Sequence, residues 1–229
     1  MGKTTLVLFI LAVLMGAPSI AEAASLFPSE VGVVYEYNKH DSAAPQNEWT
    51  VRMENLEQVT VGPHQYIKIG EWGYDGPGDY SEYLVRFTDT AAYAPDGSDE
   101  SLVLQIGPVG TTWDFPHSLG VDTGKTVKEI ISIEPVTVPY GTFDDTYVLK
   151  NYFDFDDPLK DNSPFWYEYV VPGVGIVKEV DYNLLPGQLY PPHIQELASL
   201  ERPVVTPEPL SAVLLLVGGG ALAFGGGDG

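Results

Sequence analysis

The stretch "PFWYEYVVPGVGIVKEVDY", residues 164–182, decides the fold class. Two alternating segments flank the turn sequence Pro-Gly-Val-Gly, which is the pattern of an antiparallel hairpin. One face of the first segment carries the rings of Phe165, Tyr167 and Tyr169, and we expect these rings to lie on the core. The other face, with Glu168 at its centre, is expected to be amphipathic.

The same period-two alternation extends from this hairpin through most of the chain, and turn sequences such as DGPGD and PDGSD interrupt it. No amphipathic helix stands out. Eleven strands are predicted: Val33–Asn38, Glu48–Val59, Gln65–Trp72, Ser81–Thr88, Leu102–Ile106, Thr111–Phe115, Thr126–Val138, Thr146–Phe153, Phe165–Val171, Gly175–Tyr182 and Ile194–Leu200. Many short neighbouring strands imply an antiparallel meander that curves or closes to bury its edges. We therefore predict a mainly β domain over residues 24–201: a single antiparallel curved sheet, half-barrel or flattened barrel.

A short internal repeat lies within this region. The sequence VGVVYEY at residues 31–37 is echoed by VGTTWDF at residues 109–115, 78 positions later. The two copies are consistent with two related halves of one sheet, each with glycine at a bend and two rings on one side. Chance recurrence among aromatic-rich strands is the alternative.

The first 23 residues are typical of a secretory signal peptide. Lys3 precedes an unbroken apolar run, Leu6–Met15, and the small-residue sequence Ala-Glu-Ala at residues 21–23 follows. Ten residues of helix span roughly 15 Å, about half of a bilayer core of roughly 30 Å. We therefore predict an N-terminal signal helix that is removed by cleavage before Ala24.

The other end of the chain combines a proline-rich linker, residues 202–209, with a hydrophobic segment, residues 210–229. The apolar run Leu210–Phe224 would form a helix of about 22 Å, which is short for a permanent membrane span. We expect it to be a C-terminal sorting or anchor helix that associates transiently with the membrane.

The tail sequence TPEPLSAVLLLVGGGALAF resembles the PEP-CTERM sorting signal of Gram-negative bacteria, and Pro207, Glu208 and Pro209 are the matching positions. The resemblance implies recognition by an exosortase, a membrane transpeptidase. It also implies export across the inner membrane to the cell surface or an exopolysaccharide matrix. The family's cluster of arginines is missing, because Gly225–Gly229 stand in its place.

The domain itself has a second resemblance, carried by "LFPSEVGVVYEY", "VPYGTFDDTYVLKNYF", "WYEYVVPGVGIVKEVDY" and "IQELASL". These segments are similar to uncharacterised secreted bacterial proteins that resemble the curved half-barrels of periplasmic lipid-carrier proteins. Because the shared motifs are turn and core residues, the resemblance implies a fold and not an activity.

Composition narrows the classes of function. The sequence has 32 acidic and 11 basic residues, a formal net charge of −21, and no cysteine. A surface of this sign repels nucleic acid and anionic lipid head groups. Without cysteine, neither disulfides nor thiolate metal sites are available, so stability must come from the core.

Residue types that carry chemistry form no recognisable catalytic or metal-binding pattern. The four histidines are far apart, and each is predicted to lie in a loop or at a strand end: His40, His64, His117 and His193. No serine stands in a Gly-x-Ser-x-Gly sequence, and no phosphate-binding glycine loop is present. We therefore predict no catalytic, cofactor-binding or metal-binding residues, no cofactor and no enzyme activity.

Two alternatives remain open. A calcium- or carbohydrate-binding module would use either the acidic segment or tryptophans that are exposed together. The residues concerned are Asp154, Asp156, Asp157 and Asp161, and Trp49, Trp72, Trp113 and Trp166. A secreted hydrolase, the less favoured alternative, would need two carboxylates that face each other in a deep cleft.

The sequence as a whole predicts an exported protein of the cell envelope or extracellular matrix, with a structural or ligand-binding β domain. Its expected partners are an exosortase-like enzyme and either exopolysaccharide or an apolar ligand, since rings on the concave face of a half-barrel could hold a lipid tail or a glycan. Nucleic acid is not an expected partner.

Overall fold

The computed structural model describes residues 25–74, 78–97, 99–119, 122–155, 165–182 and 192–203. They contain twelve strands, β1 to β12 in chain order: Val34–Asp41, Ala44–Val61, His64–Trp72, Tyr80–Phe87, Ala91–Asp96, Asp99–Gln105, Thr112–Leu119, Asp122–Val138, Gly141–Phe155, Phe165–Val171, Gly175–Tyr182 and His193–Glu201. In this part of the chain, no helix is long and apolar enough to cross a membrane. The predicted signal helix (1–23) and C-terminal helix (210–229) lie outside the described residues.

The twelve strands form one sheet in the order β6-β5-β4-β3-β2-β1-β12-β11-β10-β9-β8-β7. Every pairing is antiparallel. Each half is a meander of six consecutive strands, and the halves meet where β1 pairs with β12. The prediction of a mainly β domain with a single antiparallel sheet is therefore confirmed.

The sheet is curled until it is nearly closed. Strands β4 and β8 are eight positions apart in the sheet order, which in a flat sheet would separate them by about 38 Å at roughly 4.8 Å per strand. Val85 of β4 and Lys128 of β8 nevertheless line the same cavity. The two edge strands, β6 and β7, follow each other in the chain. The predicted curvature is confirmed.

Each of the eleven predicted strands overlaps an observed one, and β5 (Ala91–Asp96) is the strand that the prediction lacks. Its sequence, AAYAPD, is rich in alanine and contains Pro95, and both residue types are depleted in strands. Ala91 and Ala92 are buried, so tertiary packing outweighs a weak intrinsic preference.

The prediction for β10 placed the rings of Phe165, Tyr167 and Tyr169 on the core, and of these three only Tyr169 packs against a cluster of buried core residues. Glu168 and Val170 are the buried residues of this strand, whereas Phe165 and Tyr167 lie on the outer face. Their rings contact the ring of Tyr182, with centroid distances of 4.9 Å and 5.8 Å. The physical reason is Lys128 on β8, whose buried ammonium group pairs with the Glu168 carboxylate.

The internal repeat marks equivalent positions in the two halves. Gly32 and Gly110 both have positive φ, 87° and 90°, a conformation that glycine adopts readily. The Gly32 amide donates to the Asn55 carbonyl on β2 (2.7 Å), and the Gly110 amide donates to the Ile130 carbonyl on β8 (2.8 Å). The amides of Asn55 and Ile130 each donate to the carbonyl of the residue after the glycine, at 2.9 Å and 3.0 Å. The predicted pair of halves, each with glycine at a bend, is confirmed.

The segment before β1, residues 25–33, crosses between the halves at one end of the sheet. Leu26 is fully buried, and its amide donates to the Thr88 carbonyl at the end of β4 (2.9 Å). Its carbonyl accepts from the Gly173 amide in the β10–β11 turn (3.1 Å). Asn55 fixes the same segment, because its Nδ2 donates to two carbonyls there at 3.0 Å each. The segment therefore closes this end of the interior.

The long β8–β9 hairpin bends back over the sheet. The register of β8 against β9 shifts at two bulges, and bulges bend a strand. At the tip, the Tyr140 amide donates to the Leu197 carbonyl on β12 (2.9 Å). Val136 and Val138 are buried there in a cluster with Leu197. The hairpin therefore packs on the strands at the junction of the two halves, β1 and β12.

Candidate functional site

The candidate site is a cavity of about 150 Å³ inside the curled sheet. Side chains from nine of the twelve strands line it, together with Phe27 of the segment before β1. Most of the wall is apolar, with residues such as Ile69, Val85 and Leu104. A cavity of about this volume, lined by apolar side chains, holds a benzene-sized molecule. This cavity can therefore accept the apolar part of a ligand.

A buried ion pair forms one side of the cavity. Lys128 Nζ lies 2.9 Å and 2.8 Å from the two carboxylate oxygens of Glu168, and both side chains are less than a tenth exposed. Trp166 Nε1 donates a further bond to Glu168 Oε1 at 3.1 Å. Because each charge is compensated, the pair can face an apolar cavity without an unpaired charge.

A second carboxyl group lies beside this pair. Glu179 on β11 is the cross-strand neighbour of Glu168. Burial raises the pKa of Glu179 to about 7, and the negative charge of Glu168 adds to the increase. The Tyr74 hydroxyl donates to Glu179 Oε1 at 2.9 Å. Burial also raises the pKa of Asp181, two residues along the same strand face. The Glu179 carboxyl group is therefore partly protonated near neutral pH.

The start of the β3–β4 connection is held against this polar region. Lys39 Nζ donates to the Tyr74 carbonyl at 2.8 Å and lies 3.7 Å from the centroid of the Tyr74 ring. Trp49 Nε1 donates to the Gly73 carbonyl, also at 2.8 Å. Lys39 lies towards the end of β1 opposite Gly32, so the two ends of the interior are covered by different segments.

The histidines are dispersed, as the sequence predicts. His64 and His193 are the first residues of β3 and β12, and His40 is next to the last residue of β1. His117 differs from the prediction because it lies within β7. Among the described residues, no three His, Asp or Glu side chains gather into a group that could hold a metal ion.

The tryptophans are not gathered on one surface. Trp49 and Trp166 hydrogen-bond inside the sheet, and Trp113 is buried in the apolar core. Trp72 lies on the outer face and contacts the ring of Tyr80, with a centroid distance of 4.8 Å. In the acidic segment Asp154 is exposed on β9, and Asp156, Asp157 and Asp161 lie outside the described residues. In the part of the chain that the structure describes, no observation favours a carbohydrate- or calcium-binding module.

Glu168 and Glu179 are the neighbouring carboxyl groups that a hydrolase would require, but their contacts point elsewhere. Both oxygens of Glu168 accept from Lys128, and one also accepts from Trp166. A carboxylate occupied in this way has little capacity left to activate water or to attack a substrate. The pair therefore gives no support to the hydrolase alternative.

The sequence contained a signal for this ion pair that the prediction did not use. Lys128 stands between Thr126 and Ile130 on one face of β8, and Glu168 stands between Trp166 and Val170 on one face of β10. When one charged side chain stands between uncharged residues on the same face of a strand, it indicates a buried partner of opposite charge. The sorting motif, Pro207, Glu208 and Pro209, lies outside the described residues.

The fold and cavity define a class: a nearly closed antiparallel sheet that encloses an apolar cavity. Among solved structures, the chain is similar to a candidate lipoprotein from Parabacteroides distasonis, with 15% identity, a TM-score of 0.52, and coverage of 78% of this chain and 99% of that one. It is also similar to a candidate exported protein with a YmcC-like fold from Bacteroides fragilis, with 12% identity, a TM-score of 0.48, and coverage of 78% and 100%. At 15% identity the first likeness supports the fold alone. No protein-family model and no curated protein matches the chain.

Proposed function

We propose that this chain is an exported protein of the bacterial cell envelope that binds an apolar ligand inside its curled sheet. The cavity of about 150 Å³ carries this proposal. Its volume suits a buried ligand portion of roughly six to nine non-hydrogen atoms, since benzene fills a comparable space. A longer ligand would have to extend beyond this cavity. The role is binding, without catalysis.

Export is supported by the sequence of residues 1–23, which has the pattern of a signal peptide. The similar structure from Parabacteroides distasonis is named as a candidate lipoprotein, which agrees with a location outside the cytoplasm. In this proposal an exosortase-like enzyme recognises Pro207, Glu208 and Pro209 and directs the protein to the cell surface or the surrounding matrix.

Ligand binding can be tested by filling the cavity. Ala92 lines it and is 3% exposed, so Ala92→Leu places three more carbons inside. Ala94, on the same strand β5, is not part of the lining and provides the control Ala94→Leu. We expect Ala92→Leu to abolish binding of isopropylbenzene in an NMR titration, and Ala94→Leu to leave it unchanged. Equal binding by both variants would refute the cavity as the ligand site.

Sorting can be tested by mass spectrometry of the mature carboxyl terminus after cell fractionation. We expect a terminus close to Pro207–Pro209 in the outer fractions, and retention of the uncleaved chain when Glu208 is replaced by alanine. Recovery of wild-type protein that still ends at Gly229 in the inner membrane would contradict the sorting proposal and leave the ligand proposal intact.

A further inference from the structure

Two tyrosines on β1 differ in how their hydroxyl groups are satisfied. Tyr35 and Tyr37 both line the cavity, and their rings are nearly parallel, at 11° and 6.4 Å between centroids. The Tyr37 hydroxyl donates to the Ile176 carbonyl at 3.0 Å. The Tyr35 hydroxyl is buried and has no hydrogen-bond partner among the described residues.

A buried hydroxyl without a partner is unusual, because it loses its hydrogen bonds to water and forms none within the protein. Burial raises the pKa of Tyr35, so this group remains a protonated donor at physiological pH. Arg202 and Glu30 act on the phenol only at longer range. The Arg202 guanidinium donates to the Gly173 carbonyl instead (2.8 Å). Phenylalanine at position 35 would keep the ring packing without burying a polar atom.

We propose that the Tyr35 hydroxyl is the polar anchor of the bound ligand, to which it donates a hydrogen bond. The ligand would therefore be an apolar molecule that carries an accepting oxygen, such as a ketone or ester carbonyl, on its buried portion. This inference rests on the proposed function. It adds a chemical requirement that the volume of the cavity does not impose.

The charges around the cavity favour a neutral accepting group over an anion. Lys128 is the cationic side chain in the lining, and both of its contacts with Glu168 are shorter than 3 Å. A ligand carboxylate would have to compete with Glu168 or remain unpaired in an apolar wall, which is strongly unfavourable. A carbonyl oxygen needs only the one donor that Tyr35 offers.

Two probes with the same number of non-hydrogen atoms can test the requirement. Acetophenone and isopropylbenzene each have nine non-hydrogen atoms, and they differ in whether a carbonyl oxygen or a methyl group is attached. Dissociation constants would be measured by NMR titration of the exported protein as purified, its Tyr35→Phe variant and the matched control Tyr37→Phe. We expect Tyr35→Phe to weaken acetophenone binding by about 2- to 12-fold, the range of one net hydrogen bond. Its affinity for isopropylbenzene should not fall.

Three results would overturn the inference. If Tyr35→Phe leaves the affinity ratio of the two probes unchanged, the hydroxyl does not contact the ligand, although the cavity still binds. If Tyr37→Phe alters the ratio as much as Tyr35→Phe, Tyr35 has no special role. If the wild-type protein binds neither probe, the proposed function fails as well.

Thermal unfolding provides a readout without ligand. We expect Tyr35→Phe to unfold at the same temperature as the wild type or higher, because it removes a buried polar atom that has no partner. Tyr37→Phe should unfold at a lower temperature, since the Ile176 carbonyl loses its donor. An equal loss of stability in both variants would indicate an internal partner for Tyr35 and contradict the inference.

Discussion

Replacing Lys128 with methionine should be among the most damaging single changes in the interior. Among the described residues, the change leaves the Glu168 carboxylate, in an apolar cavity wall, with the Trp166 N–H at 3.1 Å as its remaining side-chain donor. Breaking a buried pair by removing one partner costs about 3–5 kcal/mol of unfolding free energy. For a domain of this size, roughly 2–4 °C per kcal/mol gives a fall of about 6–20 °C in Tm.

The double variant Lys128→Met with Glu168→Leu separates the charge effect from a packing effect. Replacing both members of a buried ion pair with apolar residues is often neutral or stabilising, by up to about 4 kcal/mol. We therefore expect the double variant to unfold close to the wild type or above it. The two single variants should be much less stable than the double.

The neighbouring lysine on the same strand supplies a control. Lys125 forms an ion pair with Asp114 at 2.8 Å, but the two side chains are 57% and 48% exposed. Exposed pairs contribute about 0–1 kcal/mol, so Lys125→Met should change stability little. Urea unfolding monitored by fluorescence and circular dichroism would give the free energies of unfolding of the wild type and the four variants. Single variants at Lys128 and Glu168 that each lose less than about 1 kcal/mol would refute the reasoning.

Two further predictions concern pH and backbone strain. The pKa of Glu179 is raised from 4.5 to about 7 in the folded protein, so the folded state binds the Glu179 proton more tightly than the unfolded state does. The free energy of unfolding should therefore fall by up to about 3 kcal/mol as pH rises from 4.5 to 7. Glu179→Gln, which mimics the protonated form, should flatten this dependence in urea titrations at several pH values, and an unchanged slope would contradict the assignment. Gly175→Ala should destabilise the protein by more than about 2 kcal/mol, because φ is +107° and a Cβ would overlap the Phe27 ring. Gly141→Ala, where a Cβ meets nothing within 4 Å, should shift Tm far less, and similar shifts for both would count against the packing of Phe27.

The sheet was predictable because its strands alternate with period two and are separated by turn residues. Such local patterns report which residues can form a half-buried strand. They do not report which of two faces is buried when both carry large side chains. In β10 the rings of Phe165 and Tyr167 suggested the core face, whereas the strand buries Glu168 because Lys128 lies opposite. That partner is 40 residues away in the chain, so the choice depends on tertiary structure.

The cavity could not be predicted from the sequence for the same reason. Its wall combines Phe27, Ala92, Glu168 and residues of many other strands, and the empty volume depends on how tightly the sheet curls. The sequence predicted rings on a concave face and an apolar ligand as one possible partner. It did not predict that Tyr35 would be buried with a hydroxyl that has no partner among the described residues, since Tyr37 lies on the same strand face and its hydroxyl is satisfied.

The two halves of the repeated frame differ at equivalent positions. The repeat aligns Tyr35 with Trp113, and each ring is buried with a donor atom, the phenol hydroxyl or the indole N–H, that has no hydrogen-bond partner within the described ranges. The repeated hydrogen bonds align Asn55 with Ile130. Only Asn55 has a side chain that can hold the segment before its strand, through two bonds of 3.0 Å. The frame therefore supplies the curved sheet twice, but among the described residues it is the first half, through Asn55, whose side chain holds the segment that closes one end of the interior. The ligand should accordingly contact the first half more extensively than the second.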